Sequence, residues 1–176
     1  MRQSDFPRYF DAPEELKAIE GSCGPIAAWQ VLRYFGREVI PGQLLADCRF
    51  DAVVGVYAIG LAVALAQREL RVHFYTDTDP APSVVEQLLY ADARKLGVTM
   101  HRGVSLEVLD EAICQEDGAG IILYETPQEA HFTPFLGLYN GELIMPNEGD
   151  ALTIEAIEMR RAAAGILRQA IVAGEG

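Results

Sequence analysis

A cysteine at the mouth of an almost wholly apolar helix is the feature that most constrains this chain. The segment opens Ser22-Cys23-Gly24-Pro25 and closes on Phe35-Gly36. Pro25 has no amide hydrogen to leave unpaired and its fixed φ suits a first helical turn, while Gly36 can take the left-handed conformation that ends a helix. The spacing predicts a helix from Pro25 to Phe35. At 100° per residue, Ile26, Ala27, Ala28, Trp29, Val31, Leu32, Tyr34 and Phe35 cover most of its circumference, and Gln30 and Arg33 mark a narrow polar sector. Such a helix is buried on most sides. Cys23 then faces first-turn N–H groups and the positive end of the helix dipole, which favour a thiolate and can hold an oxyanion. A free cysteine beside a core helix is, on its own, equally a small buried hydrophobe.

The chain of 176 residues is 50% hydrophobic, enough for one sizeable core or two lobes sharing a cleft, and residues 1–176 are expected to form one domain. Its formal charge of −12 argues against nucleic acid and anionic membranes, which require clustered Lys and Arg, and leaves a cationic partner open. The longest apolar run, residues 52–66, is followed by Gln67-Arg68-Glu69 and is too short to span a bilayer, so it reads as a core helix. The N-terminus carries no apolar signal region, and a cytoplasmic location is the expectation. Cys23, Cys48 and Cys114 form an odd set without C-x-x-C spacing, which disfavours a disulfide framework and a structural zinc site. No cofactor or metal is expected, and no phosphate-binding loop, H-E-x-x-H, EF-hand loop or G-x-S-x-G occurs.

The first two thirds of the chain, about 9–117, read as helical. Short helices are expected over Pro41–Cys48 and Gly55–Leu70, a short strand over Arg71–Tyr75, and a helix from the capping box Ser83-Val-Val-Glu86 to about Lys95. Ser105 is expected to cap a further helix with Leu106, Leu109 and Ile113 on one stripe. A β portion follows, about 119–150: a buried strand over Ala119–Glu125, then runs over Phe132–Tyr139 and Glu142–Met145 joined by the hairpin dipeptide Asn140-Gly141. Residues from Thr153 to about Val172 read as a C-terminal helix.

A thiolate nucleophile needs a base beside it and a third group to orient that base. His131 opens the first hairpin strand and Asn147 follows the second, so the chain order is cysteine on a helix, then histidine, then asparagine. Asp150 is the reserve orienter. His73, in a short apolar strand, and His101, in a loop, read as structural histidines, and Cys48 and Cys114 as packing residues.

This order resembles the papain-like cysteine peptidases, and the local text resembles their bacteriocin-leader (double-glycine) branch. The matching pieces are Tyr9-Phe10-Asp11-Ala12-Pro13, Cys23-Gly24-Pro25 with Leu32-Arg33-Tyr34-Phe35-Gly36, and His131-Phe132 followed by Gly137, Asn140-Gly141 and Asn147. Phytochelatin synthases, which are papain-like transpeptidases, begin their cysteine helix similarly. The resemblance implies an α+β papain-like fold whose helical half carries Cys23 and whose antiparallel β half carries His131 and Asn147. It implies a thiol hydrolase, or a transpeptidase, acting on a peptide or related amide without a cofactor. A glutamine six residues before the nucleophile is usual in the family, and Lys17 stands there instead, as an oxyanion candidate. That departure leaves a second reading: a papain-like peptide-binding module without catalysis. Pro134 removes a ladder donor and predicts an edge strand or bulge, and a slip in the hairpin pairing is needed to bring residue 147 round to His131.

Overall fold

The computed structural model describes residues 11–148, 152–163 and 165–176. Tyr9, Phe10 and Asp150 lie outside the described residues. In chain order the elements are α1 (Glu14–Lys17), α2 (Cys23–Tyr34), α3 (Pro41–Asp47), α4 (Ala58–Ala66), β1 (Leu70–Thr76), α5 (Val84–Lys95), β2 (Thr99–Arg102), α6 (Leu106–Glu116), β3 (Ala119–Glu125), β4 (Ala130–Phe135), β5 (Leu138–Tyr139), β6 (Glu142–Leu143), α7 (Ile154–Arg161) and β7 (Gln169–Glu175).

Five strands form one sheet in the order β2-β1-β7-β3-β4, antiparallel at every junction except the parallel β1–β2 pair. Side chains alternate between its faces, so the sheet carries two cores. Leu70, Val72, Phe74, Ile121, Leu123, Ile171 and Ala173 pack with α2, α4 and α5 on one face. Tyr75, Ile122, Tyr124, Phe135, Ala170 and Val172 pack with α6 and α7 on the other. Both layers of helices are therefore needed to dry the sheet.

The local signals act as their chemistry dictates. Ser83 and Glu86 close a reciprocal capping box at the start of α5. Asn140 and Gly141 both take positive φ, +52° and +80°, as a tight hairpin turn requires. Strand β4 lies at the edge of the sheet, as the proline inside it predicts. The apolar run 52–66 yields the buried helix α4, and among the described residues no helix is long and apolar enough to cross a membrane.

Three expectations are corrected. The C-terminal helix over 153–172 is instead the short helix α7, with Thr153 accepting a bond from Ala156 N at its start, followed by the strand β7. Gly165, at φ +99°, stands between them, and the run Ala170-Ile171-Val172-Ala173 is buried on both faces of the sheet. A central strand of this kind is uniformly apolar, so its period cannot be told from that of a buried helix. Residues 99–102, expected as a loop around His101, form β2 and pair in parallel with β1. The expected strand over 132–139 is broken by a bulge: Leu136 N donates to Ile144 O (2.9 Å) and Ile144 N donates to Gly137 O (3.0 Å), with Gly137 at φ +105°. Asp110 on α6 caps the bulge by accepting from Leu138 N at 2.7 Å.

Candidate active site

Helix α2 begins at Cys23 itself, two residues earlier than expected. Ser22 precedes it but donates its hydroxyl to Leu16 O (2.7 Å) and makes no side-chain cap, which leaves the first-turn amides of Cys23 and Gly24 facing out of the helix. Gly24 is required by a close approach. A Cβ there would lie 2.5 Å from Val56 Cγ1, 3.1 Å from Phe132 Cδ2 and 3.2 Å from Leu61 Cδ1. Glycine thus lets the mouth of the cysteine helix seat against α4 and against the strand that carries His131.

The structure brings Cys23 and His131 together. Their side chains stand within reach of a hydrogen bond that favours the charged imidazole, and His131 Nε2 lies 3.4 Å from Glu148 Oε1. The bond to Cys23 and, after it, the bond to Glu148 raise the His131 pKa from its ordinary 6.5 to about 9, outweighing the burial that would lower it. The imidazole is therefore an imidazolium at neutral pH. Its partner Glu148 is held below the usual carboxylate range, mainly by that same bond.

Two hydroxyls surround the Glu148 carboxylate. Tyr124 pairs with His131 across β3 and β4 and stands edge-on to its ring, with centroids 5.5 Å apart and an interplanar angle of 78°. Burial first, and the Glu148 charge second, push the Tyr124 phenol well above its ordinary pKa, so it stays protonated beside the carboxylate. Thr133, fully buried two residues along β4 from His131, also faces Glu148, although its Oγ1 does not close a hydrogen bond of standard geometry.

The Asn147 side chain is bonded to Gln30, not to the histidine for which it was expected. It forms a reciprocal amide pair with Gln30: Gln30 Nε2 donates to Asn147 Oδ1 (2.9 Å) and Asn147 Nδ2 donates to Gln30 Oε1 (2.7 Å). The slip that the sequence demanded is present in the Gly137 bulge, but the chain then turns, with Glu148 N bonded to Met145 O at 3.1 Å. Strand register ends before the turn, and the turn delivers Glu148 rather than Asn147 to His131. Glu148 was legible only as one more acid in Pro146-Asn147-Glu148-Gly149-Asp150.

Lys17 is corrected as well. Its Nζ is held by Glu14 at 2.6 Å and Asp11 at 3.1 Å, and these carboxylates raise its pKa. The Lys17 ammonium is thus engaged in surface ion pairs with two exposed carboxylates. We expect Lys17→Ala to change any turnover by less than about threefold, the behaviour of exposed ion pairs, and initial rates beside the parent protein check it.

The other candidates lie elsewhere. Cys48 is buried, and burial pushes its thiol up to about 12. Cys114 is exposed on α6, not packed as expected. His73 and His101 are bonded to each other (2.9 Å) on β1 and β2, His73 lies 3.3 Å from Glu116, and His101 stacks on Tyr75. No three His, Cys, Asp or Glu side chains converge as a metal site among the described residues.

These histidines give stability a two-sided pH dependence. His101, held below 6.5 by burial and then by His73, binds its proton more weakly folded than unfolded, so its contribution is lost as pH falls below about 6.5. His131 has the opposite sign: its contribution is complete below 6.5 and is lost as pH rises toward about 9. Urea unfolding across pH 5 to 10 should show a maximum near neutrality, with the alkaline fall absent in His131→Ala.

No protein-family model matches this chain, and no curated protein matches it. Among solved structures it is similar to the peptidase domain of Streptococcus ComA, a bi-functional ABC transporter involved in a quorum-sensing pathway. The TM-score is 0.56 at 13% identity, covering 88% of this chain and 91% of that one. At this identity the likeness is one of fold: mixed α+β, with a mostly antiparallel sheet, in the papain-like peptidase arrangement.

Proposed function

We propose that the protein is a papain-like thiol hydrolase that cleaves a peptide or related amide through an acyl-enzyme on Cys23. The observation that carries this reading is the contact between Cys23, at the mouth of α2, and a His131 imidazole raised to about 9 with Glu148 against its Nε2. A half-buried carboxylate next to a histidine that also faces a thiol is the nucleophile–base–orienter arrangement of covalent catalysis.

In the proposed reaction the Cys23 thiolate attacks the scissile carbonyl, and the tetrahedral oxyanion is met by the first-turn amides of Cys23 and Gly24 at the positive end of α2. The His131 imidazolium then protonates the departing amine, leaving a thioester on Cys23 and a neutral imidazole. Water attacks the thioester with His131 taking its proton, and the acid is released with the thiolate–imidazolium pair restored. An amine in place of water would make the same residues a transpeptidase. The chemistry needs no cofactor. The reading as a non-catalytic binding module rested on Lys17, and the Asp11–Lys17–Glu14 ion pairs account for that residue without it.

The test is a peptide mixture incubated with the purified protein and read by mass spectrometry, with Cys23→Ala as control. New peptide termini from the parent only would support the proposal, and identical digests from both would overturn it. Iodoacetamide at mildly acidic pH should label Cys23 before Cys114, the exposed thiol, and leave buried Cys48 unlabelled.

A further inference from the structure

Gln30 has no packing reason to be polar. It is 7% exposed, on a helix whose other buried positions are apolar or glycine, and it follows Cys23 by seven residues, which places both on one face about two turns apart. Its amide meets that of Asn147 in two short bonds, so each side chain satisfies the other's donor and acceptor. Asn147 is the residue next to Glu148. Two consecutive residues of one turn therefore hold the two halves of the site, one on the cysteine helix and one on the histidine.

We infer that the Gln30–Asn147 amide pair is a clasp that positions Glu148 against His131, tying the turn that carries the carboxylate to the helix that carries Cys23. The inference rests on the hydrolase reading for its effect on turnover, but not for its effect on the histidine. Consecutive Cα atoms are about 3.8 Å apart, so any drift of Asn147 is passed to Glu148 almost undiminished. Among the described residues of the bulged hairpin no backbone ladder fixes the turn, because paired strand ends at Leu143 and the last ladder-like bonds are those of Ile144. Gln30 and Asn147 are positioning residues. They touch no reacting atom and act through the carboxylate.

The clasp is tested in the full chain with Gln30→Leu and Asn147→Ala. Leucine suits the apolar surroundings of Gln30, and Asn147 is exposed in its turn, so both variants should fold, which circular dichroism checks. The first readout is the titration of the His131 imidazole by proton NMR, which needs no substrate. Its midpoint should fall from about 9 toward the ordinary 6.5 in both variants, as it should in Glu148→Gln. The second readout is kinetic: kcat lower by about tenfold or more with KM little changed, and a double variant no slower than the worse single one, as for residues acting as a unit. A His131 midpoint left at the parent value in both clasp variants, while Glu148→Gln lowers it, would overturn the clasp and leave the hydrolase proposal standing. A protein that cleaves nothing, yet whose His131 midpoint falls in both variants, would keep the clasp and remove the hydrolase.

Discussion

His131→Ala is expected to lower kcat/KM by about 10³ or more on any peptide the parent cleaves. In the proposed mechanism the imidazolium is both the counter-ion that keeps Cys23 nucleophilic and the acid that releases the amine, and general acid–base groups alone contribute roughly 10² to 10⁴. Because Cys23 and His131 act as a unit, Cys23→Ala should be no slower than His131→Ala by more than a small factor, and the double variant should match the worse single one. Rates near the parent value for His131→Ala would remove the dyad. Alkylation gives the same answer without a substrate: the acid-side reactivity of Cys23 should vanish with His131, while that of Cys114 stays unchanged.

Glu148→Gln is expected to have the second largest effect, a loss of about 10² or more in kcat, with a change in pH dependence that tells orientation from folding. Glu148 is the second cause of the raised His131 pKa, after Cys23 itself. Removing its charge moves the imidazole toward 6.5, so the alkaline limb of the pH–rate profile should retreat from about pH 9 into the neutral range. The sign follows from the proton: the active form is the imidazolium, and a lower pKa means that it is lost at a lower pH. The amide of glutamine can still bond to Nε2, which makes the test one of charge more than shape. An unchanged alkaline limb in Glu148→Gln, with one moved to higher pH in Asn147→Asp, would return the orienting role to Asn147.

The contrast between Asn147 and Glu148 marks where sequence reading stops. Side-chain alternation decides which residues share a face only while the ladder lasts. In this chain the ladder ends at Leu143, and a turn closed by the Glu148 N to Met145 O bond selects the next residue along. Lys17 shows the same limit in another form. Its offset from Cys23 matched a position of the resembled family, yet the direction of a long flexible side chain is set by whichever charges stand near it, and here these are Asp11 and Glu14. Spacing reports position along the chain, not the partner that a side chain finds.

By itself the sequence determined those parts whose cause is local. The Cys23-Gly24-Pro25 mouth, the capping box of α5, the stripe of α6, the Asn140-Gly141 turn and the edge position of the Pro134 strand each follow from backbone sterics or from hydrogen bonds within a few residues. The pairing of a helix-mouth thiol with His131 was legible for the same reason, since two short motifs fixed both ends. Tertiary structure decided what depends on distant partners. Residues 169–175 became the strand at the centre of the sheet because β1 and β3 leave a gap that only a two-sided apolar segment can fill, and residues 99–102 became a strand because β1 offered an open edge. The choice of Glu148 over Asn147, and the burial of Gln30 as the partner of Asn147, belong to the same class: each is a contact across 17 residues or 117, set by how the sheet and the cysteine helix meet.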